Sequence, residues 1–132
     1  MIFGIGQDVI EIERVARALA RHGERFPSRV LGPRELAVYQ SRRRRSAQRG
    51  MAFLATRFAA KEAISKAVGL GMRLPMTWRA VEIVNEPGGR PSAIANGPFA
   101  EFLAGKRLRL HVSVTDIANL AVAQAIAETV DG

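Results

Sequence analysis

The 132-residue chain has no cysteine, so it forms no disulfide and offers no thiolate to zinc. That absence fits the cytoplasm. No apolar run is long enough to cross a bilayer, and no signal-peptide pattern precedes the first strand-like segment. No internal repeat, low-complexity tract or domain-scale linker interrupts the chain, and its length suits one domain, residues 1–132. Acidic residues are scarce: 12 against 20 Lys plus Arg, a net charge of +8 and a pI of about 11.4. Lysine occurs only at Lys61, Lys66 and Lys106, so the excess is arginine. Such a balance implies an anionic partner: nucleic acid, an acidic protein or a phosphate-rich small molecule. Apolar residues make up 48% of the chain, enough for a core.

The central stretch is Phe58 to Gly69, FAAKEAISKAVG. It is alanine-rich, free of proline and closed by glycine, which predicts a helix. Glu62 and Lys66 stand four apart and share a face with small and apolar neighbours. Alone, this reads as an ordinary helix salt bridge. Upstream, Phe3 to Ile10 predicts a strand in which Gly4 and Gly6 allow close approach. Asp8 lies near its end. A carboxylate in an apolar strand needs a cation, a hydrogen-bond partner or exposure. GIG lacks the third glycine of a dinucleotide fingerprint.

Glu11 to His22 predicts an amphipathic helix ended by Gly23. Its polar face carries Arg14, Arg17 and Arg21, with Arg25 if the helix extends that far. This is either a solvated face or a docking stripe for an acidic helix. Phe26 to Leu31 reads as a connector. Pro33 opens a helix that ends in Arg42 to Arg45, and Ser46 to Gly50 reads as a loop. Two short strands, Val81 to Val84 and Ser92 to Ala95, flank the turn EPGGRP, and Pro98 to Ala104 predicts a short helix. Leu108 to Thr115 alternates, with His111, Ser113 and Thr115 on the polar side. Leu120 to Ile126 is its hairpin partner across Asp116 to Asn119. The class is α+β, a small single domain with an antiparallel sheet and packed helices.

Asp8, the Glu62/Lys66 face and the polar row of β-strand residues together suggest phosphate-ester chemistry. Two carboxylates without cysteine suit Mg²⁺, which completes its shell with water and phosphate oxygens. Lys66 suits a phosphoryl group, and the hydroxyls and imidazole suit further phosphate oxygens.

The sequence resembles the holo-[acyl-carrier-protein] synthase family of small 4′-phosphopantetheinyl transferases. The resemblance rests on GIGQDVIEIERV with Asp8 and Arg14, RFAAKEAISKAVG with Lys61, Glu62 and Lys66, the turn at Gly89 to Pro91, and HVSVTD at His111 to Asp116. It implies the family's α+β fold and a homotrimer with coenzyme A at each subunit interface. It implies transfer of phosphopantetheine from coenzyme A to a serine of acyl carrier protein. Asp8 and Glu62 match the family's Mg²⁺ ligands, and Lys66 its active-site lysine. Glu62, directly or through a metal-bound water, is the candidate base, and Lys66 the stabiliser of the reacting phosphorus. Arg57, Lys61, Lys66, Gly69, His111, Ser113 and Thr115 are the expected coenzyme A contacts. Arg14, Arg17, Arg21 and Arg25 are the expected docking stripe for the acidic carrier protein. Many relatives have histidine where this chain has Asp116, which would repel phosphate. The Arg42 to Arg45 run either supplies the missing positive charge or is a solvated helix end.

The alternative is a non-enzymatic nucleic-acid binder, prompted by the pI and the arginine run. Against it, no aromatics interleave with the basic run for base stacking, and no nucleic-acid-binding motif is present.

Overall fold

The computed structural model describes residues 1–131. Strand β1 (Ile2–Glu11) leads into helices α1 (Ile12–His22), α2 (Arg25–Val30), α3 (Pro33–Arg45) and α4 (Ala47–Ala67). Then come β2 (Val81–Asn85), β3 (Pro91–Ala95), α5 (Gly97–Gly105), β4 (Leu108–Ile117) and β5 (Leu120–Thr129). A single 3-10 turn, Trp78–Ala80, precedes β2. Strands β1, β5 and β4 form an antiparallel sheet in that order, while β2 and β3 form a separate hairpin. The class is α+β, with two antiparallel sheets instead of one. Among the described residues, no helix is long and apolar enough to cross a membrane.

Helix α4 is the core around which the other elements pack. Its 21 residues are buried on almost every side, from Phe53 to Ala67. The sheet presents Gly4 and Gly6 of β1 and Ala121, Ala123, Ala125 and Ala127 of β5 to it. Small residues on both surfaces let the helix lie close to the strands. A methyl group on Gly6 would stand 2.0 Å from the carbonyl oxygen of Ala63. Residues of opposite parity, including Phe3, Ile5, Val9 and Ile117, point away from the helix and are exposed.

Two expected coil segments are helical. Phe26 to Leu31, read as a connector, is mostly α2, with Pro27 in its first turn. Ser46 to Gly50, read as a loop, is the start of α4. Ser46 caps it by accepting from the amide of Arg49 at 3.3 Å. Gly50 serves helix packing: an added methyl group would meet Arg43 of α3 at 2.9 Å.

The N-terminus of α3 is held by a carboxylate from β2. Glu82 accepts from the Arg34 amide at 2.8 Å, the Arg34 Nε at 2.9 Å and the Glu35 amide at 3.3 Å. Burial alone would raise its pKa, but these hydrogen bonds outweigh it and hold the group below the usual carboxylate value. The stability this supplies is present above the unfolded pKa and is lost as pH falls through the lower folded one. Glu82→Gln is therefore expected to cost about 1–3 kcal/mol at neutral pH and to flatten the loss of stability on acidification. Urea melts at pH 7 and pH 3 measure both. A steep acid dependence as large as in the native chain would rule the contribution out.

Candidate active site

Asp8 lies on the helix-facing side of β1, opposite Ala123 of β5. Glu62 and Lys66 reach the same place from α4. Lys66 extends to β1, where its Nζ donates to the carbonyl of Gln7 at 2.9 Å and lies 3.4 Å from Asp8 Oδ1. Among the described residues its ion-pair partner is thus Asp8 and not Glu62. Asp8 is 20% exposed and Lys66 51%, so the group opens to solvent. Glu62 is pushed above its ordinary pKa by partial burial and by the Asp8 carboxylate, with Lys66 opposing.

Two carboxylates that repel each other at a half-open site fit a hard divalent cation, which removes the repulsion and keeps several waters. The donor set is all oxygen, as Mg²⁺ prefers. The three residues come from a strand and a helix locked together by the Gly4 and Gly6 contacts, so their relative placement is set by the fold.

The structure does not bring the polar row to this group within one chain. His111 and Ser113 sit on the outward face of β4, while the even-numbered residues from Leu108 to Val114 face the helix; Thr115, near the end of the strand, also borders a cavity with Arg57 of α4. The sheet therefore separates His111 and Ser113 from Asp8. His111 Nε2 is bonded to Glu128 Oε1 at 2.9 Å on that outward face.

Arg57 is only 4% exposed. Its guanidinium donates to the Ile83 carbonyl, Thr56 Oγ1 and Asn85 Oδ1, and lies 4.1 Å from the centre of the Phe53 ring. Desolvation lowers its pKa to about 10, with Glu35 opposing and Arg42 adding to the fall. It lines a cavity of about 210 Å³ with Arg42, Asn85, Thr115 and Asp116. Arg42 is packed over the same Phe53 ring, at 5.0 Å. Arg42, Arg45 and Arg49 line an adjoining cleft that also contains Asp116. Arginines thus surround the Asp116 carboxylate. Arg43 is engaged elsewhere, with Glu24. Sequence reasoning missed Arg49 because its segment read as a loop. It missed the separate placement of Arg42 because the run looked uniform.

Lys61 is not available to a ligand, and the expected coenzyme A contact is corrected. It is 0% exposed and paired at 2.7 Å with Glu35, also 0% exposed. Burial pushes its pKa down and Glu35 opposes the fall. Two further hydrogen bonds, to the carbonyls of Val30 and Trp78, use up its donors. Gly69 lies just past the end of α4 with φ +81°, where left-handed backbone ends the helix.

Arg14, Arg17 and Arg21 are exposed on α1, and Arg17 lies 3.9 Å from Glu13 one turn away. Arg25 does not extend that stripe along one helix. The chain breaks at Gly23, and Arg25 opens α2.

The chain matches the sequence pattern of the 4′-phosphopantetheinyl transferase superfamily over residues 4–125. It is 58% identical over 128 residues to a holo-[acyl-carrier-protein] synthase from Cupriavidus taiwanensis, covering 97% of this chain and 91% of the relative. It is 55% identical over 127 residues to one from Bordetella pertussis, covering 96% and 83%. Its fold superposes on the crystal structure of holo-[acyl-carrier-protein] synthase from Neisseria meningitidis with a TM-score of 0.89 at 32% identity, covering 97% of this chain and 99% of that one. The Bacillus anthracis synthase, solved in complex with CoA (3′,5′-ADP), gives a TM-score of 0.82 at 33% identity, covering 98% and 99%.

Proposed function

The chain belongs to the 4′-phosphopantetheinyl transferase superfamily, and we infer from this and from its site that it is a holo-[acyl-carrier-protein] synthase. It transfers the 4′-phosphopantetheine group of coenzyme A to a serine of acyl carrier protein. The observation that carries the reading is the meeting of Asp8, Glu62 and Lys66 at one half-open edge of the helix–sheet interface.

We assign Glu62 as the base that takes the serine proton. Its carboxylate stands beside Asp8 and Lys66 at the half-open edge, where the serine hydroxyl would arrive. The serine oxygen attacks the β-phosphorus of coenzyme A. The bond to the bridging pyrophosphate oxygen breaks, and adenosine 3′,5′-bisphosphate leaves with that electron pair. Lys66 stabilises the negative charge on the phosphoryl oxygens in flight. Asp8 holds Lys66 in place. Asp8 and Glu62 would hold Mg²⁺, which would supply charge neutralisation for the pyrophosphate.

Arg57 and Arg42 are assigned to coenzyme A phosphate through the cavity they share with Thr115. His111 and Ser113 lie on the outward sheet face, which also exposes Phe3 (48%), Ile5 (66%), Val9 (56%) and Ile117 (66%). An apolar face of this kind supports contact with further copies of the chain. We read the assembly as a homotrimer, the number following from the family resemblance. In it, the outward row of one copy meets the Asp8 group of another. The place of action is the cytoplasm, in fatty acid biosynthesis.

The test is a mass spectrum of an apo-acyl carrier protein incubated with this protein, coenzyme A and Mg²⁺, beside an EDTA control. A gain of one phosphopantetheine, lost with EDTA, is expected. No gain with several carrier proteins and a folded enzyme would overturn the reading. A gain that survives EDTA would remove the metal from it.

Acyl carrier proteins are acidic, and the Arg14, Arg17, Arg21 stripe is the complementary surface. Changing all three to glutamate is expected to raise the carrier-protein KM at least about tenfold while the coenzyme A KM stays nearly constant. Equal effects on the two substrates would remove the stripe from the docking surface.

A further inference from the structure

Lys61 ties together the ends of three elements. Its Nζ donates to the carbonyl of Val30, the last residue of α2, at 2.5 Å. It donates to the carbonyl of Trp78, which opens the 3-10 turn, at 2.8 Å, and to Glu35 Oε1 of α3 at 2.7 Å. Glu35 in turn accepts from the amides of Gly32 and Ile83 at 2.9 and 2.8 Å. Every hydrogen of the ammonium is committed to the interior. Arg79 reinforces the same junction by donating to the Leu31 carbonyl at 3.1 Å.

The same elements also supply a half-buried aromatic group. Phe26 comes from α2, Phe58 from α4 and Trp78 from the 3-10 turn. Phe58 and Trp78 are stacked at 4.6 Å, and Phe26 lies 6.2 Å from Phe58. Phe58 stands one helical turn before Glu62, which puts the rings beside the reacting carboxylate. Arg25 and Arg29 of α2 are exposed, so the rings have cationic neighbours. Partly exposed aromatics with arginines have the composition of a protein-binding centre.

We propose that Lys61 is a positioning residue for carrier-protein recognition and makes no contact with coenzyme A. By fixing the end of α2 and the backbone of Trp78, it sets the rings and α2 arginines against the carrier protein, so that the serine arrives at Glu62. The proposal rests on the transferase reading given above.

The test separates the two substrates. Lys61→Met alone leaves the Glu35 carboxylate buried without its cation, so it is combined with Glu35→Gln, which removes that charge. The double variant is expected to raise the carrier-protein KM about tenfold and leave the coenzyme A KM within about twofold. Phe26→Ala, a half-buried site outside the ion pair, is expected to show the same split. If the coenzyme A KM rises as much as the carrier KM in the double variant, Lys61 acts on coenzyme A and the proposal falls. An unchanged carrier KM in Phe26→Ala overturns it even if the double variant does not fold. An inactive native chain would instead fail the transferase reading, whereas an active one with these results fails only the role of Lys61.

Discussion

Glu62→Ala and Asp8→Ala are each expected to lower kcat/KM by about 10²–10⁴-fold, the range for loss of a positioned acid–base group, while the protein stays folded. The chemistry and the packing are separable here because neither side chain is part of the buried network. Glu62 is half-buried and Asp8 is 20% exposed. Removing either carboxylate also removes half of the oxygen set that suits a divalent cation. The two variants should differ in detail: Asp8→Ala also frees Lys66 from its 3.4 Å partner, so the lysine loses its fixed place as well as its neighbour. Steady-state transfer to an apo-carrier protein, with circular dichroism melts of both variants, makes the comparison. Activity retained in both would dismiss the metal and base assignments together.

The second large effect is on the fold. Gly6→Ala would place a methyl group 2.0 Å from the Ala63 carbonyl oxygen and 2.8 Å from the Ala67 amide nitrogen. Both are backbone atoms of the central helix, and no rotamer change moves them. Relief requires α4 to move away from β1, against a helix buried on almost every side. Overpacking usually costs about 1–3 kcal/mol, and a backbone obstacle in the core puts this case at or above the top of that range. The Tm is expected to fall by roughly 10 °C. Because Asp8 follows two residues later on the same side of β1, transfer activity should fall too, even below the melting transition. Gly105→Ala is the control, since nothing lies within 4 Å of its added methyl group. A Gly6→Ala protein as stable as Gly105→Ala would show that α4 can shift without cost.

The strands and α1 were legible because their periodicities are clean. Alternation from Leu108 to Thr115 gave β4 and its outward row. The three members of the site were legible from two local signals: a carboxylate inside an apolar strand, and an acid and a base four apart on a helix. What the sequence did not reveal was which way things face. Helix α4 has no apolar stripe, because it is buried nearly all round. Nothing in KEAISK therefore says that Lys61 points into the interior while Lys66 points to β1. Nor does alternation in β4 say that its polar side lies across the sheet from Asp8. Gly50 was misleading because glycine serves two purposes, turning a chain and letting two helices touch. Pro27, by contrast, was an available signal for the first turn of α2.

The scarcity of lysine, set beside the places the three side chains occupy, has a consequence for chemical labelling. Lys61 is sealed in the core, Lys66 is half-exposed at the site, and Lys106 lies on the surface after α5. Of the three lysines, an amine-selective acylating reagent acting on the folded protein meets only Lys66 and Lys106. Lysine acylation that is blocked by coenzyme A would therefore report on Lys66, with Lys106 as the background. The seventeen arginines that give the protein its charge are invisible to such a reagent.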